Sequence, residues 1–321
     1  MAHPRALTVL DPTSSIGREL VETIAKQLPE LRLRFFHTTG DKEHLVVEVA
    51  ERAAIVPPLV DPDELEGSIA VLVTATPPAA IATALLGWLR GPAGVPLLDA
   101  TQPGLAPEEC HALAGPVGQP LPALRWFHLL DPALVGVARV LGALGSFEPQ
   151  VTTTTVFIPA ASHGEVAIEE LAAQAAARLT GHEPDRPRAL PAVLAFDLWP
   201  VGGDVTEGLR AQLEKLFPAI THRVMAADVG VFHGNLSALT VRFSRPPRLE
   251  QVRASLGHLL NLHVVRRNQR IGISECVGST DVVCSDLVAS GDELSVWVAC
   301  DGLKAGGVLA VIDLIVVLTA S

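Results

Sequence analysis

The most constraining stretch of this chain is its opening. Ala6–Leu10 (ALTVL) is a short apolar run, Asp11-Pro12-Thr13-Ser14-Ser15 is a tight turn, and Leu20, Val21, Ile24 and Leu28 then recur at the period of a helix with one buried face. Strand, turn and helix in this order begin the parallel sheets that seat a dinucleotide's pyrophosphate on the open amides of a helix's first turn. Glycines usually fill such a turn, so that the backbone can approach the phosphates. Here Gly17 is the surviving glycine, Asp11 brings a carboxylate close to the anion's place, and Pro12 removes an amide donor. Thr13, Ser14, Ser15, Ile16 and Gly17 are what remains of a cofactor-binding turn. The competing reading of these hydroxyls is that they cap the helix.

The pattern continues along the first hundred residues. Leu31–His37 alternates as a second strand, Thr38-Thr39-Gly40-Asp41 is a turn, and Leu45–Val49 is a further strand before an ill-defined stretch to Pro62. Ile69–Thr74 is continuously apolar, as a central parallel strand buried on both faces would be. Pro77-Pro78 starts a helix that runs through Arg90, and Pro96–Asp99 is the next strand. This alternation predicts a doubly wound, Rossmann-like first domain.

The character changes around Arg125. Leu124–Leu130 is strand-like and Ala133–Leu144 helical; Val151–Phe157, Ala192–Leu198, His222–Phe232, Leu236–Phe243, Asp281–Leu287 and Leu294–Ala299 read as strands. Gly164–Leu179, Thr206–Phe217, Leu249–Leu260 and Leu303–Ala320 read as helices. The irregular order predicts an α+β second domain. The last helix is too apolar to stand exposed and is expected to return to the first domain. The expected boundaries are 1–130 completed by 301–321, and 131–300.

A net charge of −11 argues against a nucleic-acid surface and suits a cytoplasmic protein. The longest apolar run, Val308–Ala320, is interrupted by Asp313 and is too short for a membrane span. MAHPRALTV lacks the pattern of a signal peptide. Cys110, Cys276, Cys284 and Cys300 have no metal-ligand spacing; they are expected as reduced structural thiols, with no metal.

Four segments in order resemble the aspartate-semialdehyde dehydrogenases. VLDPTSSIGREL is similar to that family's first turn, Ala161–Leu171 (ASHGEVAIEEL) to its S-G-A-G-x-x-G-V-E-E-L, and Ala195–Pro200 (AFDLWP) to A-F-N-x-x-P. VGSTDVVCSDL followed by LSVWVACDGLKAGGVLAV resembles V-G-S-D-D-V-x-V-G-R and L-x-L-W-V-V-A-D-N-L-R-K-G-A-A. The resemblance implies a nucleotide-binding first domain, a dimerising second domain and a terminal helix that returns to the first. It also implies an NADPH-dependent reaction through a thioester. That reaction needs a thiolate nucleophile, a histidine acid/base and arginines to clamp the substrate.

Carried over residue by residue, the resemblance loses that chemistry. Pro132 stands at the nucleophilic cysteine and Asp131 at the asparagine before it, where they read better as a helix start and its cap. Asn235 stands at the histidine, Asp228 at a substrate arginine, Ile158 at a glutamine and Asp286 at a further arginine. Gly302 and Ala310 replace two asparagines, and Asp99–Gly104 holds no phosphate-binding arginine. His233 lies two residues before Asn235, on the same face if the strand extends that far, and is the candidate for rescue; Arg223 would similarly require a slipped strand. The expectation is a catalytically degenerate homologue: a pseudoenzyme that works as a dimeric binding or scaffold protein, as a homodimer or beside another protein, with no cofactor. The alternative is an active NADP-dependent enzyme of amino-acid biosynthesis with diverged site residues.

Overall fold

The computed structural model describes residues 6–39, 43–92, 94–102, 104–106, 108–114, 126–266, 269 and 271–320. Gly40 and Asp41 of the expected turn, and Leu124 and Arg125 of the expected strand start, lie outside the described residues. The chain forms two compact units, Met1–Leu129 with Gly307–Ser321, and Leu130–Gly306.

In the first unit, β1 (Ala6–Leu10) runs into α1 (Ser15–Gln27). β2 (Arg32–Phe36), β5 (Ser68–Val73), β6 (Leu97–Asp99), β7 (His111–Leu113) and β8 (Trp126–Leu129) join β1 in a parallel sheet of order β2-β1-β5-β6-β8-β7. Neighbouring residues on its strands feed two different cores. Leu7, Val9, Ala70, Leu72, Leu98 and Phe127 pack with Leu20, Val21 and Ile24 of α1. Leu10, Val71, Val73, Leu97 and Trp126 pack with Leu85 and Leu89 of α2 (Ala79–Arg90). Burial on both faces is why these strands are uninterrupted apolar runs. The final helix, α7 (Leu309–Ala320), adds Val311, Leu314 and Ile315 to the α1 side of this sheet, as its apolar sequence requires.

The stretch after β3 (Leu45–Val49) is better ordered than the sequence suggests. Arg52–Val56 forms β4 and pairs antiparallel with β3 as a hairpin. Ala50 and Glu51 turn the chain with φ of 47° and 63°, a conformation that no glycine announces.

In the second unit, α3 (Val135–Ala143), β9 (Pro149–Ile158), α4 (Glu165–Leu179), β10 (Leu198–Pro200), α5 (Gly203–Leu216), β11 (Thr221–Val229), β12 (Asn235–Phe243), α6 (Leu249–Gly257), β13 (Leu262–Val264), β14 (Val282–Ser290) and β15 (Glu293–Cys300) follow one another. Their mixed sheet has the order β10-β11-β9-β12-β15-β14-β13. Alternation along the strands is clear: Thr152, Thr154, Val156 and Ile158 of β9 are buried, whereas Thr153, Thr155 and Phe157 between them are not. One face is covered by helices. The other stays open, with Met225 61% and Trp297 38% exposed and Phe157 stacked on Trp297 at 6.2 Å.

Ala192–Leu198 is not a strand. Its first residues are a turn in which Asp197 N donates to Leu194 O and Phe196 takes φ 61°; pairing begins at Leu198. The amides of Leu194 and Ala195 donate instead to Gln174 Oε1 of α4, so this segment is tied to a helix and not to a sheet. The expected terminal helix begins with a wide π turn at Leu303–Val308 before α7.

Candidate functional site

The first turn is closed by its own side chains. Ser14 Oγ accepts from Gly17 N at 2.9 Å, capping α1, and donates to Thr74 at 3.0–3.1 Å. Thr74 Oγ1 also reaches the carbonyls of Leu10 (2.9 Å) and Asp11 (2.7 Å). A Cβ on Gly17 would lie 2.7 Å from Thr74 Oγ1 and 2.8 Å from Asp11 O, so this glycine is kept for the close approach of helix and strand. Asp11 takes φ 59° and turns its buried carboxylate to Thr38, accepting from the amide at 2.7 Å and the hydroxyl at 2.6 Å. Burial pushes its carboxyl above the usual range, opposed by those two bonds. The family resemblance implies an NADP pyrophosphate at this turn. The residues present do not fit it: hydroxyls fill the space over Gly17, and Asp11 gives the turn a buried carboxylate in place of a small uncharged residue.

In the second unit the sheet brings the carried-over positions together. Asp228 is paired with Ile158 across β11 and β9, and Trp199 of β10 is opposite Asp228. Asn235 begins β12 beside the same end of β9 and pairs with Cys300 of β15. Trp199, Asp228, Ile158, Asn235 and Cys300 therefore form a row along the helix-covered face, with strand-to-strand steps of about 4.8 Å.

The middle of this row is packed shut. Asp131 Oδ1 accepts from Ala133 N at 2.8 Å and caps the 3₁₀ turn Pro132–Leu134. Gly302 lies so close that a Cβ there would be 1.9 Å from Pro132 O and 2.8 Å from Asn235 Oδ1. Gly302 N donates to Asn235 Oδ1 at 3.3 Å, while Asn235 Nδ2 is buried with no hydrogen-bond partner. Pro132, Asn235 and Gly302 thus meet in space, although 170 residues separate the outer two in sequence. Pro132 and Asn235 are the positions at which the family resemblance would place a thiol and an imidazole.

None of the four cysteines forms a disulfide, and all four are buried. Cys300 is near Gly136 at the start of α3, but burial pushes its thiol up to about 12. Burial does the same to Cys284, and it raises Cys276 as well. A nucleophilic cysteine needs a lowered pKa and access. His233 does not share the face of Asn235. Gly234, at φ 84°, breaks the extended chain between them, and His233 is exposed in the turn before β12. Arg223 is exposed on the open face of β11, five residues from Asp228 and so on the opposite side. Asp286 sits at φ 48° in the β-bulge between Ser285 and Val288. Ala310 is buried in the first unit's core. Asp99 closes its own turn, accepting from Thr101 N at 2.9 Å and Leu105 N at 2.6 Å; Pro103 of that segment lies outside the described residues.

A residue that the sequence reading passed over stands at the end of the row. His163 Nε2 is 2.7 Å from Asp228 Oδ1; the aspartate side chain is 4% exposed and the histidine side chain 30%. His163 belongs to ASHGEVAIEEL, which stands out in the sequence for its resemblance to the family motif and for the helix predicted to start at Gly164. Its partner is 65 residues away, on a strand that only the parallel pairing of β9 with β11 brings alongside.

The fold these units share with known proteins is that of aspartate-semialdehyde dehydrogenases. Aspartate semialdehyde dehydrogenase II from Vibrio cholerae, complexed with ASA, superposes with TM-score 0.82 at 16% identity, over 99% of this chain and 98% of that one. A probable aspartate-semialdehyde dehydrogenase from Pseudomonas aeruginosa gives 0.80 at 19% identity, over 99% and 98%. The enzyme from Francisella tularensis gives 0.80 at 12% identity, over 99% and 100%. No protein-family model matches the chain, and no curated protein matches it by sequence. Among the described residues, no helix is long and apolar enough to cross a membrane and no cluster of His, Cys, Asp and Glu could hold a metal ion.

Proposed function

We propose that this chain keeps the dehydrogenase fold without the dehydrogenase chemistry and works as a homodimeric binding or scaffold protein. The observation that carries this reading is the close contact of Gly302 with Pro132 O and Asn235 Oδ1, which gathers a proline, an amide and a glycine where the resemblance implies a thiol and an imidazole. The self-bonded turn around Ser14, Thr74 and Asp11 supports the loss of the dinucleotide as well.

The open sheet face supports the dimer. Met225, Phe157, Trp297 and Val288 form an apolar surface of the kind that a second copy of the chain covers. Trp297→Asp is expected to convert the dimer to a monomer in sedimentation velocity; a wild-type monomer at micromolar concentration sinks the homodimer.

The loss of dinucleotide binding is tested by thermal melting with NADPH. A ligand at about 100 times its Kd stabilises by about 2.7 kcal/mol, a shift of several degrees. No saturable shift is expected up to millimolar NADPH. A clear one would favour the competing reading, an active NADP-dependent dehydrogenase of amino-acid biosynthesis.

A further inference from the structure

We infer that His163, held by Asp228, is a reactive centre of the second unit: an imidazole nucleophile for small, apolar acyl esters. The geometry rests on one short contact and on what surrounds it. Asp228 Oδ1 takes the Nε2 side of the ring at 2.7 Å. A carboxylate in that position fixes the tautomer with the proton on Nε2 and leaves the lone pair on Nδ1. Nδ1 has no hydrogen-bond partner among the described residues, and the ring is partly open to solvent while its carboxylate is not. The same arrangement stabilises the cation that forms when Nδ1 bonds to an electrophile, because the charge develops against a buried anion.

The surroundings select the class of electrophile. Trp199, 52% exposed, is opposite Asp228 on the adjacent edge strand. Phe232, 41% exposed, accepts from the amide of Ala161, two residues before His163. Ile158 is the other neighbour of Asp228 in the row. This corner is apolar and aromatic, and none of these residues is cationic. A phosphoryl group, with its charge on three oxygens, would find no counter-ion among them. An acyl group with an apolar leaving group meets no such cost.

The reaction balances as ester hydrolysis. The Nδ1 lone pair attacks the carbonyl carbon, the C–O bond breaks with its electron pair on the leaving oxygen, and an acyl-imidazolium forms beside Asp228. Water then adds to the acyl carbon, the N–C bond breaks, and imidazole is restored. With p-nitrophenyl acetate the products are acetate, p-nitrophenolate and two protons released to solvent.

The probe is p-nitrophenyl acetate, followed at 25 °C by release of p-nitrophenolate. His163→Gln is expected to lower the protein-dependent rate at least about tenfold, less than the ~100-fold or more that a positioned acid/base group supplies in an enzyme. Asp228→Asn, which keeps the imidazole but not its carboxylate partner, is expected to lower it several-fold. His44→Gln and His258→Gln, at exposed histidines elsewhere, are expected to leave it unchanged. Equal rates for wild type and His163→Gln overturn the assignment. A second measurement needs no variant: carbethoxylation by diethyl pyrocarbonate, read by mass spectrometry, is expected to be about tenfold faster at His163 than at His44 or His258. Equal rates at the three sites overturn it again. Failure of either assay leaves the NADPH melt untouched, and an NADPH shift leaves the ester assay untouched.

Discussion

The first turn of the first unit and the Asp228 corner of the second sit in comparable places, each beyond the carboxyl ends of parallel strands, where α/β proteins put their chemistry. They use polar groups in opposite ways. At the turn, Ser14, Thr74, Asp11 and Thr38 bond to one another and to nearby backbone. At the corner, a buried carboxylate holds one side of an imidazole, and the other side is left over. A polar group whose bonds close inside the protein contributes stability. One that is oriented by a buried partner and still accessible can act on something else.

The sharpest way to break this contrast is at the glycines. Gly302→Ala places a Cβ 1.9 Å from a backbone carbonyl that cannot swing away. It is expected to destabilise by about 3 kcal/mol or more in urea unfolding; a cost under about 1 kcal/mol would mean that the centre of the row is loose enough to admit a ligand. Arg139, on α3, is the second unit's own example of internal closure. Its buried guanidinium donates to the carbonyls of Leu260 and Asn261, just past the end of α6, and burial lowers its pKa. Arg139→Ala is expected to cost about 2–3 kcal/mol, through the stranded carbonyls and the lost packing.

Gly17→Ala meets a hydroxyl that can give way as well as the carbonyl of Asp11, so about 1–2 kcal/mol is expected, measured in the same way. Asp11→Asn keeps an acceptor for Thr38 N and should cost about 1 kcal/mol. If that variant bound NADPH where the wild type does not, Asp11 would be the block.

The smallest effect is a pH dependence. His222 is buried against Thr152 Oγ1 (2.8 Å) and Phe217 O (3.3 Å), and burial lowers its pKa below the ordinary 6.5. The unfolded chain therefore takes up the proton first as pH falls, so stability should decline below about pH 6.5 and level off below the folded value. His222→Gln should flatten this part of the curve. An unchanged slope assigns the pH dependence to other groups.

Much of this molecule is written locally. Ala6–Leu10, Ser68–Val73 and the helix faces of α1 and α7 follow from runs and periods that survive in any context, because a strand buried on both sides and a helix buried on one require them. Asp131 before Pro132 already spelled a capped turn. The hairpin of β3 and β4, and the turn at Ala192–Asp197, were not legible. Their backbone turns at Ala50, Glu51 and Phe196, residue types that give no signal of a left-handed φ. The residue types at the carried-over positions could be read from the chain one position at a time. That Pro132, Asn235 and Gly302 press on one another, and that His163 meets Asp228, depends on which strands lie side by side. Pairing is a long-range choice made by the whole sheet, and no local window of sequence contains it.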